Sequence, residues 1–259
     1  MVTRAMRTSL IIGLFLLGLS TGCFGIRPAP TPMPAQFYPA VDSDVEGLVV
    51  FVPGMGDGPN RYEEKGFVDI VRQTHPGFDV VAADAHFGYY RNFRVLERLH
   101  VDVIAPIADR YEEVWIVGVS IGGLVATSYA MEYGDLTTGV IVLAPYLGGR
   151  EIGEEVQNAG GLASWMPPDI EAEPGFRQRH YYRLWSWLKR RTDPEADLPR
   201  LLIGAGEQDP QRKASELIAP HLPALDYQTA PGGHDWGAWT PLFRDLLARG
   251  LLGNSNIRP

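Results

Sequence analysis

The sequence predicts an α/β domain whose mostly parallel central sheet carries helices on both faces. Short apolar runs rich in β-branched residues alternate along the chain with longer segments of helical periodicity. These runs are apolar at successive positions rather than at every second one, which is typical of strands buried on both faces of a parallel sheet. The chain has 259 residues and is 45% hydrophobic, so it can support one well-packed domain.

Six apolar runs are predicted as strands. Each run is short and is bounded by turn-forming or polar residues. They occupy residues 47–53, 79–83, 114–118, 140–143, 201–203 and, with a weaker pattern, 225–229. Active sites in sheets of this kind lie beyond the carboxyl ends of the strands, so the loops after these runs are where reactive residues are expected.

Helices are predicted in the segments between the strands. Apolar residues three or four positions apart mark residues 67–71, 95–107, 121–133 and 239–247. We expect Pro106 to kink or interrupt the second helix and Gly134 to end the third. In the closing helix, Thr240 is the expected cap and Pro241 suits the first turn.

The alternation is interrupted from Gly148 to about Asp197. This segment is too long for a simple connection in a compact domain, so we predict that it is a cap inserted over the site. Its aromatic side chains either line a substrate pocket or pack the insertion onto the body of the domain. These residues are Trp165, Tyr181, Tyr182, Trp185 and Trp187.

Residues 1–22 have the proportions of a signal peptide. Arg4 and Arg7 precede an apolar run, Leu10–Leu19, that is too short to span a bilayer. Cys23 follows and is the single cysteine of the chain, so an intrachain disulfide is excluded. The segment resembles a bacterial lipoprotein signal, which implies lipidation of Cys23, export, and attachment to a cell-envelope membrane with the domain outside the cytoplasm. An ordinary signal peptide with a chance cysteine and a packed N-terminal helix are the alternatives.

A proline-rich segment follows the cysteine. Prolines at every second position from Pro28 to Pro34 favour an extended, solvated backbone. We therefore predict that residues 23–44 form a tether that holds a domain of residues 45–259 away from the membrane. The alternative is a disordered linker without this purpose, and this interpretation predicts the same structure.

The charge of the chain excludes several kinds of partner. The net charge is −8, and it becomes about −10 when the segment with Arg4 and Arg7 is removed. An acidic surface has no electrostatic reason to bind nucleic acid and repels anionic lipid. No cluster of histidine, cysteine and carboxylate side chains has metal-ligand spacing, so no metal is expected. No organic cofactor is expected either.

The pentapeptide Gly118-Val119-Ser120-Ile121-Gly122 fits the pattern G-x-S-x-G. A predicted strand precedes it and a predicted helix follows it, which is the context of a reactive serine on a sharp strand-to-helix turn. Small neighbours are needed there because the backbone is strained and space is tight. The alternative is a glycine-rich turn that a serine caps.

His234 is the candidate base. A serine hydroxyl is a weak nucleophile unless a base accepts its proton. His234 lies between two glycines and the closing helix, in the loop after the last predicted strand, and no other histidine of the six has this placement. His86 also follows a strand end and could touch a substrate.

Asp209 is the candidate partner of the imidazole. It follows a predicted strand directly, 25 residues before His234, and a carboxylate there can hold one imidazole tautomer and stabilise its charged form. Glu207 and Asp235 are the alternatives. Glu207 is too close to the strand, and Asp235 is adjacent to His234 in sequence, which makes an orienting hydrogen bond awkward.

Two backbone amides are candidates for an oxyanion hole. The amide of Ile121 follows the serine, and the loop Pro53-Gly54-Met55-Gly56 offers the amide of Met55 from a neighbouring strand end. Residues 54–58 also resemble a dinucleotide-binding turn, but they lack its full glycine spacing.

With these motifs in the order P-G-M-G, G-V-S-I-G, G-E-Q-D-P and G-G-H-D-W, the chain resembles the α/β-hydrolase family over about residues 45–252. The resemblance implies an eight-stranded, mostly parallel sheet with a cap inserted after the sixth strand. Because little chain precedes Val45, the first two of those strands are expected to be trimmed. The resemblance also implies a carboxylesterase-like or lipase-like serine hydrolase that acts on small-molecule or lipid esters without a cofactor.

Other functions use the same residues. A thioesterase, a peptidase or an acyltransferase can share the triad, because a fold does not define its substrate. A different class of function is a non-catalytic, membrane-tethered binding protein on the same scaffold. The sequence leaves the acyl-chain length and the oligomeric state open.

Overall fold

The computed structural model describes residues 27–91 and 94–248. Seven strands form one sheet in the order β1-β3-β2-β4-β5-β6-β7. The strands are β1 (Ala35–Tyr38), β2 (Gly47–Val52), β3 (Phe78–Ala83), β4 (Glu113–Val119), β5 (Gly139–Leu143), β6 (Arg200–Gly206) and β7 (Tyr227–Ala230). Strands β2 to β7 are parallel, and β1 pairs antiparallel with β3 at one margin. The predicted fold class is therefore confirmed.

Helices cover both faces of this sheet. They are α1 (Asn60–Glu64), α2 (Phe67–Thr74), α3 (Phe87–Arg91), α4 (Val95–Arg98), α5 (Ile121–Glu132), α6 (Arg150–Asn158), α7 (Phe176–Lys189), α8 (Arg212–Ile218) and α9 (Trp236–Ala248). Side chains of the central strands alternate between two buried clusters. Phe51 packs on one face with α1, α2 and α9, whereas Val50 and Val52 pack on the other with α5 and α7. The strands are thus buried on both faces, which explains their continuous apolar runs.

Two predicted helices differ from the structure at their ends. The helix predicted over 95–107 is α4 followed by a π-helix, Leu99–Ile104, and it ends before Pro106. The closing helix begins at Trp236, so Thr240 and Pro241 lie inside α9, and the prediction that they form its cap and first turn is wrong. The reason is that the Asp235 carboxylate caps the helix one turn earlier, accepting hydrogen bonds from the first amides of α9.

The proline-rich segment is part of the domain over the residues that the structure describes. Met33 is only 3% exposed, and the Pro34 carbonyl accepts a hydrogen bond from the Asp84 amide at 2.8 Å. Residues 35–38 then form β1, with Ala35 opposite Ala83. The prediction of a free tether over 23–44 is therefore wrong for residues 27–38, because their backbone finds partners at the margin of the sheet.

The segment 148–197 is an insertion between β5 and β6. It contains α6, two short 3₁₀ turns and α7. The five aromatic residues named in the sequence analysis are buried, whereas Phe176 at the start of α7 is 53% exposed. The indole of Trp185 donates a hydrogen bond to the Leu147 carbonyl at 2.9 Å. On the same helix, His180 Nε2 lies 2.8 Å from the Ser128 hydroxyl of α5. The aromatic cluster therefore packs the insertion onto the body of the domain, which is the second of the two predicted alternatives.

The predicted signal segment 1–22 and Cys23 lie outside the described residues. Within 27–91 and 94–248, no helix is long and apolar enough to cross a membrane. The sheet has seven strands in the described part of the chain, where the family resemblance implies eight.

Candidate active site

Ser120 lies at the turn between β4 and α5. Its φ of 54° and ψ of −120° form a strained conformation that residues with a side chain rarely adopt. The Ser120 amide donates to the Leu143 carbonyl of β5, and the Ser120 carbonyl accepts from the Gly123 amide, both at 2.9 Å. A Cβ atom at Gly118 would collide with the Gly122 carbonyl. The small residues of the motif are therefore required by the close approach of the turn's own backbone.

His234 lies on the loop between β7 and α9, at the same end of the sheet. Gly232, two residues earlier, has a φ of 129°, which favours glycine. Asp235, the next residue, accepts a hydrogen bond from the Gly237 amide at 2.7 Å. Because the turn and the helix cap fix the loop on both sides, the imidazole extends over the strand ends toward Ser120.

Gln208 joins the loop that carries Asp209 to the loop that carries His234. The Gln208 amide donates to the Gly232 carbonyl at 2.9 Å, and the Gln208 side-chain oxygen accepts from the Gly232 amide at 2.9 Å. This double hydrogen bond sets the spacing between the carboxylate and the imidazole.

The three predicted side chains lie in series. His234 Nε2 is 2.9 Å from Ser120 Oγ, and His234 Nδ1 is 2.8 Å from Asp209 Oδ2. The Asp209 side chain is completely buried, and its other oxygen accepts a hydrogen bond from the Gln211 amide at 2.8 Å. With the carboxylate on Nδ1, the Nδ1 proton is held there and Nε2 faces the hydroxyl as an acceptor. The imidazole is 31% exposed, so the serine end of this hydrogen-bonded series is open to solvent.

The amides predicted for the oxyanion hole lie on two loops beside the serine. Ile121 is the first residue of α5, so its amide has no acceptor within the helix. Met55 follows Gly54, where a Cβ atom would lie 3.2 Å from Val119 Cγ2, so the loop after β2 packs directly against the residue before Ser120. Among the described residues, no backbone carbonyl accepts a hydrogen bond from the Met55 amide. Both amides are thus available to a ligand.

Asp57 lies on the loop after β2, two residues beyond Met55. Its carboxylate pairs with Arg61 at 3.3 Å. Burial raises the pKa of Asp57, and the charge of Arg61 opposes that rise. Asp57 and Gln208 carry no signal in the sequence, because only their positions beside the motifs distinguish them from other polar loop residues.

The other candidate side chains take no part in this hydrogen-bonded series. His86 is 8% exposed; its Nδ1 accepts a hydrogen bond from the Gly88 amide at 3.1 Å, and its ring packs on Tyr89. Burial lowers the pKa of His86. Glu207 is exposed, and Asp235 caps α9. Of the three candidate carboxylates, Asp209 is the one that the structure places on the imidazole.

A buried carboxylate, an imidazole and a serine on a sharp turn, in series beyond the carboxyl ends of a mostly parallel sheet, define a chain of the α/β-hydrolase class. The chain belongs to the family described as serine aminopeptidase, S33, whose model matches residues 43–193, more than half of the chain. It is therefore an α/β-hydrolase of the serine-hydrolase type.

Solved structures are similar to the chain over most of its length. They include Est1E from Butyrivibrio proteoclasticus (20% identical, TM-score 0.56, covering 85% of this chain and 93% of that one). Fluorophosphonate-binding serine hydrolase F from Staphylococcus aureus is 15% identical, with a TM-score of 0.54 and coverage of 85% and 94%. Paleococcus ferrophilus monoacylglycerol lipase is 17% identical, with a TM-score of 0.52 and coverage of 84% and 98%. These likenesses support the fold. No curated protein matches the chain.

Proposed function

We propose that this protein hydrolyses carboxylic esters through an acyl-enzyme on Ser120. The observation that carries the proposal is the unbroken hydrogen-bonded series from the buried Asp209 carboxylate through His234 to the Ser120 hydroxyl. Such a series has the residue types, the order and the spacing that acyl transfer by a serine requires.

In the acylation step, Ser120 Oγ attacks the ester carbonyl carbon while His234 Nε2 accepts the hydroxyl proton. The carbonyl oxygen becomes an oxyanion, which the amides of Met55 and Ile121 stabilise as hydrogen-bond donors. The imidazolium then donates its proton to the leaving alcohol as the carbon–oxygen bond breaks. Asp209 stabilises the imidazolium charge and does not take up a proton.

In the deacylation step, water attacks the acyl carbon. His234 accepts the water proton, the same amides stabilise the second oxyanion, and the Ser120 oxygen leaves as the imidazolium returns its proton. The products are a carboxylic acid and an alcohol. None of these steps requires a metal or an organic cofactor.

The similar structures add one consideration in favour of esters as the substrate class. They include a ferulic acid esterase and a monoacylglycerol lipase, and both names denote enzymes that act on esters. The family description names aminopeptidases, so a peptide amide is the second candidate substrate.

We also propose that the domain is exported and anchored to a cell-envelope membrane through a lipidated Cys23. The arginines, the apolar run and the small residues before the cysteine support this proposal. The intact mass of membrane-extracted protein tests it: acyl chains at Cys23 are expected, and an unmodified, soluble product would refute the anchor.

The enzymatic proposal is tested with a fluorophosphonate probe and a substrate panel. Wild-type protein should react with the probe, Ser120→Ala should not, and Ser186→Ala, which removes a hydroxyl from α7, should react normally. A panel of p-nitrophenyl esters, thioesters and peptide anilides should show turnover of esters above the other classes. Folded wild-type protein that neither reacts nor turns over any substrate would favour the non-catalytic binding protein, and preferential cleavage of amides would favour a peptidase.

A further inference from the structure

The point at which the chain enters the domain lies beside the active site. Strand β1 runs antiparallel to β3, with Ala35 opposite Ala83 and Tyr38 opposite Val80. The residues before Ala35 therefore lie beside the carboxyl end of β3. The carboxyl ends of β2 to β7, which carry Met55, Ser120, Asp209 and His234 on the loops that follow, are here called the carboxyl rim. The chain thus enters at this rim and not at the opposite one.

Residues 27–34 are fastened to the carboxyl rim. Arg27 makes two hydrogen bonds to the Asp84 carboxylate, at 2.7 and 3.3 Å, and Asp84 is the residue directly after β3. The Tyr89 hydroxyl donates to the Pro30 carbonyl at 2.7 Å, and the Met33 amide donates to the Asp102 carboxylate at 2.8 Å. These contacts fix the segment as far out as Arg27, so it has no freedom to act as a long spacer.

The proposed anchor is very short as a result. Arg27 follows Cys23 by four residues, and four residues reach at most about 14 Å when fully extended. The six residues of β3 alone span about 20 Å from the carboxyl rim to the opposite end. A lipid at Cys23 therefore holds the carboxyl rim, rather than the opposite rim, next to the membrane.

We infer that the carboxyl rim faces the bilayer that carries the lipid anchor, and that the substrates are esters presented at that membrane surface. This inference rests on the proposed function and its anchor. The loop after β2 exposes Met55 (67% exposed), and the first residue of α3, shortly after β3, exposes Phe87 (46%). Both side chains lie at this rim, where they can enter the boundary between headgroups and acyl chains. The partner is a neutral, zwitterionic bilayer, because the chain is acidic overall and Arg27 is already paired with Asp84.

Exposed apolar side chains alone do not determine which rim faces the membrane, because both rims have them. The opposite rim exposes Leu136 (39%) and Leu225 (55%), which precede β5 and β7. The carboxyl rim is indicated by the point at which the chain enters the domain and by the short distance from Arg27 to Cys23.

The first experiment measures which rim meets the membrane. The lipidated protein is placed on phosphatidylcholine vesicles that contain spin-labelled lipid, after intact mass has established acylation of Cys23. Cys23 is the single cysteine and its thiol is occupied by lipid, so a fluorophore can be attached at Phe87→Cys or, as a matched control of similar exposure, at Leu225→Cys. We expect several-fold stronger quenching at position 87 than at position 225.

Each outcome of that experiment bears on a different claim. Equal quenching, or stronger quenching at position 225, would overturn the orientation while leaving the hydrolase proposal intact. Absence of acyl chains at Cys23 would overturn the anchor and this inference with it. Absence of ester turnover by the unlabelled wild-type protein would instead refute the proposed function.

The second experiment tests the consequence for substrates. A flexible glycine-serine linker of 40 residues is inserted between Ile26 and Arg27 of the full chain. The longer tether lowers the effective concentration of the rim at the membrane, so hydrolysis of a vesicle-borne diacylglycerol should fall roughly tenfold. Hydrolysis of soluble p-nitrophenyl acetate should be unchanged. Equal hydrolysis of diacylglycerol by both proteins would refute the inference.

Discussion

The triad loops and the insertion 148–197 lie at neighbouring strand ends but are held in different ways. The triad loops are short, follow their strands directly and are joined by backbone hydrogen bonds, such as those between Gln208 and Gly232. The insertion is held on the body of the domain by side chains. Trp185 is hydrogen-bonded to the Leu147 carbonyl, and His180 is hydrogen-bonded to Ser128. Changes in the first region should therefore alter catalysis with little effect on stability, and changes in the second should do the reverse.

The largest effect is expected for Asp209→Asn. The amide cannot hold the same imidazole tautomer or stabilise its charge, so kcat for a p-nitrophenyl ester should fall on the order of 10⁴-fold. Asp235→Asn is the matched control, since it is next to His234 and an asparagine can still cap α9. Steady-state kinetics of both variants provide the measurement; an equal loss in Asp235→Asn would contradict the assignment of Asp209.

A smaller loss is expected for Gln208→Ala. The substitution removes the acceptor for the Gly232 amide and loosens the loop of His234, so we expect kcat to fall roughly tenfold while KM is retained. Gln228→Ala, which loses only an exposed bond to the Leu225 carbonyl, is the control. If Gln208→Ala lowers the melting temperature but leaves kcat unchanged, Gln208 is a structural residue and does not position the triad.

The reverse behaviour is expected for Trp185→Phe in the insertion. The change leaves the buried Leu147 carbonyl without its indole donor, which should lower the free energy of unfolding by about 1–3 kcal/mol. Urea unfolding measures this loss, and ester turnover of the folded variant should match that of wild type. A drop in kcat or a rise in KM without a loss of stability would mean that the aromatic cluster contacts substrate after all.

The smallest effect is a dependence of stability on pH through His180. Burial lowers the pKa of His180 below its ordinary value of 6.5, so the unfolded chain binds the proton more readily than the folded one. Stability is therefore lost as pH falls through 6.5, and the loss ends below the folded-state pKa. His180→Gln, which keeps a polar contact to Ser128, should reduce this loss in urea unfolding at pH 7 and pH 5. Burial also lowers the pKa of His86 and the pKa of His100, so part of the loss of stability should persist in His180→Gln.

Most of the sheet and the candidate triad could be predicted from the sequence because their signals are local. Strands buried on both faces must be apolar throughout, and a serine on a strained turn must have glycine neighbours, as the contact between Gly118 and the Gly122 carbonyl illustrates. The order of Ser120, Asp209 and His234 along the chain then follows from the order of the strand ends.

The remaining features depend on contacts that no local pattern specifies. Strand β1 is four residues long and mostly exposed, and it exists because β3 offers it backbone partners. The same contacts convert the predicted tether into a fixed segment, with Arg27 on Asp84. The start of α9 was misplaced because Pro241 resembles a first-turn residue, whereas Asp235 caps the helix.

The proposed mechanism requires that Ser120 is the residue that becomes acylated. An activated aryl carbamate tests this requirement, because it transfers its carbamoyl group to a serine nucleophile. The carbamoyl-serine then hydrolyses slowly enough to be detected. After reaction of the wild-type protein, peptide mass mapping should find one carbamoyl group on Ser120, and the same treatment of His234→Ala should leave Ser120 largely unmodified. A carbamoyl group on any other residue, or modification of Ser120 that does not depend on His234, would contradict the account.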